Sequence, residues 1–185
     1  MNLIEGDIIV SKEEIDAMCD RLAAEISRDY AGKKLLMVGV LKGAFVFLAD
    51  LARRLTIPVQ IDFMDVSSYG NETKSSGIVK INSDLNHDIT DRHVLIVEDI
   101  IDTGLTLKKL RELLLTRGPA SLALCTAFDK PSRRTVDLKI EYCGIEVPNK
   151  FIIGYGLDYE DWFRNLPHVS EAIEAPLEVR NEETK

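Results

Sequence analysis

Residues Val94-Leu95-Ile96-Val97-Glu98-Asp99-Ile100-Ile101-Asp102-Thr103-Gly104-Leu105-Thr106 decide how this chain is read. Four strand-forming aliphatics follow the polar segment Asp88 to His93, the pattern of a buried parallel strand. Glu98 and Asp99 then fall at the strand's carboxyl end, the edge of an open α/β sheet where ligands bind. The Thr-Gly-x-Thr turn offers free backbone N–H groups, two hydroxyls and the positive end of a helix dipole, a setting suited to phosphate. The two acids would repel a bare phosphate. They make better sense facing sugar hydroxyls, or a Mg²⁺ ion that accompanies a phosphorylated sugar. A plainer reading of the same residues is a strand, an Asx turn and a helix capped by Asp102 or Thr103, with the acids solvated.

Outward from this stretch, strands and helices alternate. Ser11-Lys12-Glu13-Glu14 has the form of a capping box, and Ile15, Met18, Cys19, Leu22 and Ile26 follow at helical spacing up to Gly32. Leu35 to Val40 reads as a buried strand, and Gly43 to Leu55 as a helix with Phe47, Leu48, Leu51 and Leu55 on one face. Pro58 opens a longer strand in which Ile61, Phe63 and Asp65 alternate with Asp62 and Met64. The polar segment Ser67 to Gly77 leads to a returning strand over Ile78 to Ile81. After the central strand come a helix from about Thr106 to Arg117 and a strand from Ser121 to Phe128. This alternation predicts an α/β fold, a mainly parallel sheet with helices on both faces. Beyond Lys130-Pro131-Ser132-Arg133-Arg134 the texture changes. Short β-like pieces at Leu138 to Tyr142 and Phe151 to Gly154, then an aromatic and acidic stretch from Tyr155 to Phe163, suggest a small appended subdomain. From Glu178 onward the chain is polar and charged.

With 185 residues, 45% hydrophobic and 29% charged, the chain is expected to form one domain with a sizeable core. Its aliphatic runs are shorter than a membrane span, and MNLIEGDIIV lacks the basic start and long apolar core of a signal peptide, so the expected address is the cytoplasm. Cys19, Cys125 and Cys143 form no C-x-x-C pair and lie among apolar neighbours, which favours buried free thiols. His87, His93 and His168 have no metal-ligand spacing and receive no role. The net charge of −8 disfavours general affinity for nucleic acid or anionic membranes, although Lys130, Arg133 and Arg134 form a local basic cluster.

The string aliphatics-Glu-Asp-x-x-Asp-Thr-Gly-x-Thr resembles the phosphoribosyl-pyrophosphate motif of the type I phosphoribosyltransferases. It departs only at Leu105, where some relatives have lysine and the backbone makes the contact. From about Asp7 to Val169 the chain is similar to the hypoxanthine-guanine phosphoribosyltransferases. That resemblance implies the type I phosphoribosyltransferase fold, a twisted, mainly parallel sheet with a core over about 30–130. A small hood subdomain would come from the N-terminal segment and about 131–170, and a polar tail would occupy about 178–185.

It also implies residue roles, each with a plainer alternative. Leu41-Lys42-Gly43 looks like the pyrophosphate loop, with a cis peptide before the lysine; without the family, it is a turn carrying an exposed lysine. Ser68 and Tyr69 look like the pair that begins the catalytic lid, where sequence alone would read a flexible hairpin loop. Lys130 would donate to the exocyclic oxygen at C6 of a purine, selecting hypoxanthine and guanine over adenine. Phe151 would stack on the purine and the Ile152 backbone would meet its edge, although Phe-Ile-Ile ordinarily means a core strand. Asp158 matches an aspartate that holds Mg²⁺ and Arg164 a pyrophosphate-binding arginine; in isolation both would more often be surface ion-pair members.

In the implied reaction, Thr103, Gly104, Leu105 and Thr106 anchor the 5′-phosphate. Glu98 and Asp99 hold the ribose hydroxyls and stand beside the metal, and Asp102 is the general base toward the purine N7 proton. The product is a nucleoside monophosphate of purine salvage, made by a homodimer or homotetramer. A competing reading is a regulator on the same fold that senses phosphoribosyl pyrophosphate and binds RNA or DNA through the Lys130, Arg133 and Arg134 cluster.

Overall fold

The computed structural model describes residues 3–68 and 79–175. Tyr69, the expected lid beyond it and the expected polar tail lie outside these residues, and Ser68 is described only as the end of a strand. In chain order the elements are β1 (Leu3–Val10), α1 (Lys12–Asp29), β2 (Leu35–Leu41), α2 (Phe45–Arg54), β3 (Val59–Ser68) and β4 (Val79–Ser83). They continue with β5 (His93–Ile101), α3 (Leu105–Leu115), β6 (Ser121–Asp129), β7 (Tyr142–Glu146), β8 (Ile152–Ile153) and β9 (Val169–Glu174).

The six-stranded sheet runs β4-β3-β2-β5-β6-β7 and is parallel except for the antiparallel edge strand β4. β2 and β5 are its centre, which explains why both read as unbroken aliphatic runs: both faces are covered. Helices α1 and α2 bury Ile15, Leu22, Ile26, Phe47 and Leu51 against Met37, Leu95 and Val97 on one face. Helix α3 buries Leu107, Leu110 and Leu114 against Val38, Val94 and Ile96 on the other. The capping box forms as read. Glu14 N donates to Ser11 Oγ at 3.2 Å while Ser11 N donates to Glu14 Oε2 at 2.8 Å.

From β2 the chain moves outward to β3 and then crosses back to β5 on the other side of β2. The strand order therefore reverses between β2 and β5, and the crevice outside their carboxyl ends is the place where such sheets bind ligands. A smaller three-stranded antiparallel sheet, β1-β9-β8, forms the hood.

Three expectations need correction. The strand expected over Leu138 to Tyr142 begins only at Tyr142, and it joins the main sheet beside β6 instead of the hood. Leu138 and Ile140 are apolar because they pack on the α3 face as coil, with Arg111 Nη1 donating to the Lys139 carbonyl at 2.8 Å. In β3 the alternation is present, but the covered residues are Asp62 and Met64, while Ile61 and Phe63 are exposed. Asp62 is covered because it is saturated with hydrogen bonds from Asn86 and His87, so His87 does have a structural role. Finally, neither Asp102 nor Thr103 is the cap of α3. Gly104 takes that position, at φ +79.

Among the described residues no helix is long and apolar enough to cross a membrane.

Candidate active site

At the β2/β5 crevice lies a cleft of about 350 Å³, walled by the residues after β2, the end of β5 with its turn into α3, and Asp158 and Arg164 below the hood. Its floor depends on glycine. A Cβ on Gly43 would stand 1.6 Å from Asp99 Oδ2, so only glycine lets the acid reach this loop. Gly156, at φ +96, packs so closely that a Cβ would come within 2.2 Å of the Gly43 carbonyl oxygen. The Leu41–Lys42 peptide is cis, as the resemblance implied.

Glu98 and Asp99 stand side by side and half-buried at the end of β5. Ile100 N donates to Asp99 Oδ1 at 2.6 Å, and Asp99 N reaches Glu98 Oε1 at 3.3 Å. Burial, then the adjacent Asp99 charge, pushes the Glu98 carboxyl well above the usual carboxylate range. Burial raises Asp99 as well, against the opposing effects of its hydrogen bonds and the Arg164 charge. The protein's own groups leave this pair under-compensated, the condition of acids that bind hydroxyls or a cation.

Beyond them the turn opens into α3. Leu105, the first helical residue, is half-buried, and its N–H faces Thr103 Oγ1 at 3.4 Å, while Lys108 N donates to the Gly104 carbonyl. Thr103, Gly104 and Thr106 line the cleft at the helix N-terminus. The Asp102 side chain is exposed, and its carbonyl is held by Arg134 Nε at 3.1 Å. Lys130 Nζ lies 3.8 Å from Asp102 Oδ1 and donates to the Lys150 carbonyl at 2.8 Å, with the lysine only 7% exposed. Next to Lys150, the Phe151 ring is exposed and meets Tyr159 edge-on at 6.0 Å, while Ile152 is buried in β8.

The remaining wall is the segment from Gly154 to Arg164. Tyr155 is buried at φ 50 and ties this segment to the helices, its hydroxyl donating to Asp50 Oδ2 at 2.9 Å and lying 3.4 Å from Cys19 Sγ. Arg164 Nη1 donates to the Gly156 carbonyl at 2.7 Å, and Nη2 pairs with Asp158 at 2.7 Å and with Asp161 at 3.0 Å. Asp161 also pairs with Lys42 Nζ at 3.1 Å, so it bridges the two cations of the cleft. Arg164 first and Lys42 second hold its carboxyl below the usual range.

The structure thus brings Lys42, Gly43, Glu98, Asp99, Asp102, Thr103, Gly104, Thr106, Asp158 and Arg164 to one cleft. Lys130 adjoins it through Asp102, and Phe151 and Ile152 follow from there. The sequence reading missed Asp161 and the glycine contact between the two loops. The acidic, aromatic run Tyr155 to Phe163 was the available signal, without spacing to single out one acid.

The basic cluster does not form a surface patch. Lys130 is buried and Arg134 pairs with Asp129, which leaves Arg133 exposed. Among the described residues no group of three or more His, Cys, Asp or Glu is arranged to hold a metal by itself.

A switch-point cleft with an acid pair, a phosphate-type turn and a far wall of paired cations and acids defines a class. The phosphoribosyl transferase domain family matches residues 6–160, and the chain belongs to that family. Within it, the chain is 45% identical over 170 residues to the hypoxanthine-guanine phosphoribosyltransferase of Streptococcus pneumoniae, covering 90% of this chain and 94% of that protein. The crystal structure of a Staphylococcus aureus hypoxanthine phosphoribosyltransferase superposes with a TM-score of 0.89 at 44% identity, over 91% of this chain and 92% of that one. A Trypanosoma cruzi hypoxanthine phosphoribosyl transferase, studied for the role of its C-terminal region in oligomeric state and activity, gives 0.87 at 39% identity, over 98% and 97%.

Proposed function

We propose that this chain transfers the 5-phosphoribosyl group from phosphoribosyl pyrophosphate to N9 of hypoxanthine or guanine, giving IMP or GMP and pyrophosphate. The observation that carries the base assignment is Lys130. It is a buried ammonium beside Asp102, already donating to the carbonyl oxygen of Lys150, the residue before the exposed Phe151. An ammonium donates to a 6-oxo group and has nothing to accept from a 6-amino group, so adenine is rejected.

In this reading the turn Thr103 to Thr106 binds the 5′-phosphate through backbone N–H groups and hydroxyls, and that remote binding energy fixes the sugar's C1. Glu98 and Asp99 accept hydrogen bonds from the ribose hydroxyls. The C1–O bond breaks with its electron pair leaving on pyrophosphate, and the N9–C1 bond forms. Amides of the Lys42–Gly43 loop and the Arg164 guanidinium meet the charge that develops on the leaving group. Asp102 takes the purine proton. Ser68 and Tyr69 close over the leaving group and keep water from the activated sugar.

The donor set fits Mg²⁺ in its usual mode, one or two carboxylates with the rest supplied by substrate phosphates and water. Asp158, together with Glu98 or Asp99, would hold it, and its chemistry there is to neutralise diphosphate charge. The enzyme acts in the cytoplasm as a homodimer or homotetramer. The exposed Phe45, Ile61 and Phe63 on α2 and β3 support an apolar subunit interface.

Hypoxanthine, guanine, xanthine, adenine and orotate offered in parallel with phosphoribosyl pyrophosphate and Mg²⁺ in a spectrophotometric assay test this reading. Turnover of hypoxanthine or guanine without adenine is the expected result. Turnover of adenine or orotate in their place would overturn the Lys130 assignment.

A further inference from the structure

We propose that Asp161 is an internal stand-in for the leaving diphosphate, occupying its cations in the free protein and returning to them as it departs. The inference rests on the proposed role of Arg164 and of the Lys42–Gly43 loop amides toward pyrophosphate, and it adds the Lys42 ammonium to the cations the diphosphate would meet.

Asp161 Oδ1 lies 3.1 Å from Lys42 Nζ and 3.0 Å from Arg164 Nη2, one oxygen shared between cations that are 122 positions apart in the chain. With Asp158 included, the wall carries two cations and two anions and is neutral before substrate arrives. A diphosphate needs both cations, so one acid has to yield.

Geometry selects which acid yields. The Asp158 and Arg164 side chains are 30% and 19% exposed, enclosed in the wall, whereas Asp161 is 66% exposed and free to swing outward without opening the core. Its backbone is built for movement as well. Tyr159 and Trp162 exchange N–H and carbonyl hydrogen bonds at 3.2 and 2.9 Å, which makes Glu160–Asp161 the tip of a two-residue hairpin. Both tip residues have positive φ, 54 and 67, in positions that favour glycine or asparagine. Such a tip persists where contacts hold it. Here the holding contacts are the Asp161 ion pairs and the hydrogen bond from Asp161 N to Asp158 Oδ2 at 2.8 Å. Diphosphate would remove the ion pairs and leave the tip to relax.

The chain's single tryptophan, Trp162, is the next residue and is 60% exposed, so its fluorescence reports on the tip directly. The experiment is a titration of the full-length protein with inorganic pyrophosphate and Mg²⁺, read by Trp162 fluorescence and by calorimetry. Asp161→Asn removes the competing charge and suits the positive-φ backbone, so the turn is preserved. It is expected to bind pyrophosphate roughly three- to tenfold tighter than the unsubstituted protein, the scale of two exposed ion pairs. Asp161→Glu is expected to stay near the unsubstituted value. Glu160→Gln removes the same charge one residue away and is expected to change nothing. Unchanged or weaker binding by Asp161→Asn, or equal tightening by Glu160→Gln, would overturn the proposal. Arg164→Gln separates the layers. If it weakens pyrophosphate binding while Asp161→Asn does not tighten it, only the stand-in falls; if Arg164→Gln has no effect, the assignment of the wall falls with it.

Discussion

Asp62 on β3 and the Glu98–Asp99 pair on β5 are carboxylates set into the same sheet on either side of β2, and the protein treats them in opposite ways. Asp62, 3% exposed, accepts from Phe63 N, Asn86 N and Nδ2, and His87 N, and pairs with His87 Nδ1 at 2.8 Å. Burial alone would raise its pKa, but these partners outweigh it and hold the carboxyl at about 2. The β5 pair has one close backbone donor; burial pushes both members upward, and the Asp99 charge pushes Glu98 further. An acid kept for structure has its partners supplied by the fold. An acid kept for a ligand is left short of partners, at a cost in stability that binding removes.

Asp102 extends the contrast, since it is neither buried nor saturated and meets one cation at 3.8 Å. If it serves chemistry alone, Asp102→Asn should lower kcat by about 10²- to 10⁴-fold, the range for loss of a general base. Thermal stability should change by less than about 1 kcal/mol, because Gly104 and not Asp102 caps α3. Steady-state kinetics beside a melting curve check both halves. A large loss of stability with a near-normal rate would move Asp102 into the structural class with Asp62.

How much of this was legible in the sequence follows the range of the interactions. The β5 run, the turn into α3 and the capping box of α1 are written in consecutive residues, and the strand, the turn and the box formed where the sequence placed them. The buried phase of β3 was not legible. It depends on Asn86 and His87 reaching Asp62 from more than 20 positions away, and an acid between Ile61 and Phe63 reads locally as the solvent face. The placement of β7 failed for a related reason, because an apolar coil lying under α3 has the same texture as a strand. Asp161 could not be chosen among its acidic neighbours, since its role comes from a hairpin tip that sets it between Lys42 and Arg164. The candidate residues in the cleft were found through the resemblance, and their geometry required the fold.

The acid limb of the stability curve sharpens the contrast next. A folded-state pKa of about 2, below the ordinary aspartate value, makes Asp62 a stabilising group above pH ~4, with the contribution lost as pH falls toward 2. Asp62→Asn should remove on the order of 2 kcal/mol at neutral pH and flatten the dependence between about pH 4 and 2, measured by denaturant unfolding across that window. An unchanged slope there would mean that the hydrogen bonds to Asp62 do not distinguish its charged form.

Glu98 should show the opposite sign. Its folded-state pKa is raised, so the folded chain holds a proton that the unfolded chain gives up, and stability declines as pH rises above the ordinary glutamate value. Glu98→Gln keeps the shape and removes the charge. At neutral pH, without ligand, it should therefore stabilise the protein by about 1 kcal/mol, a rise in Tm of roughly 2–4 °C. The same substitution should weaken phosphoribosyl pyrophosphate binding, because the charge that burdens the free protein is the one that receives the ribose hydroxyls or the metal. Melting curves with and without phosphoribosyl pyrophosphate and Mg²⁺ separate the two effects: the variant should melt above the unsubstituted protein when free and lose that advantage when ligand is present. A variant that melts lower in both conditions would place Glu98 with Asp62, as an acid whose partners the fold already supplies.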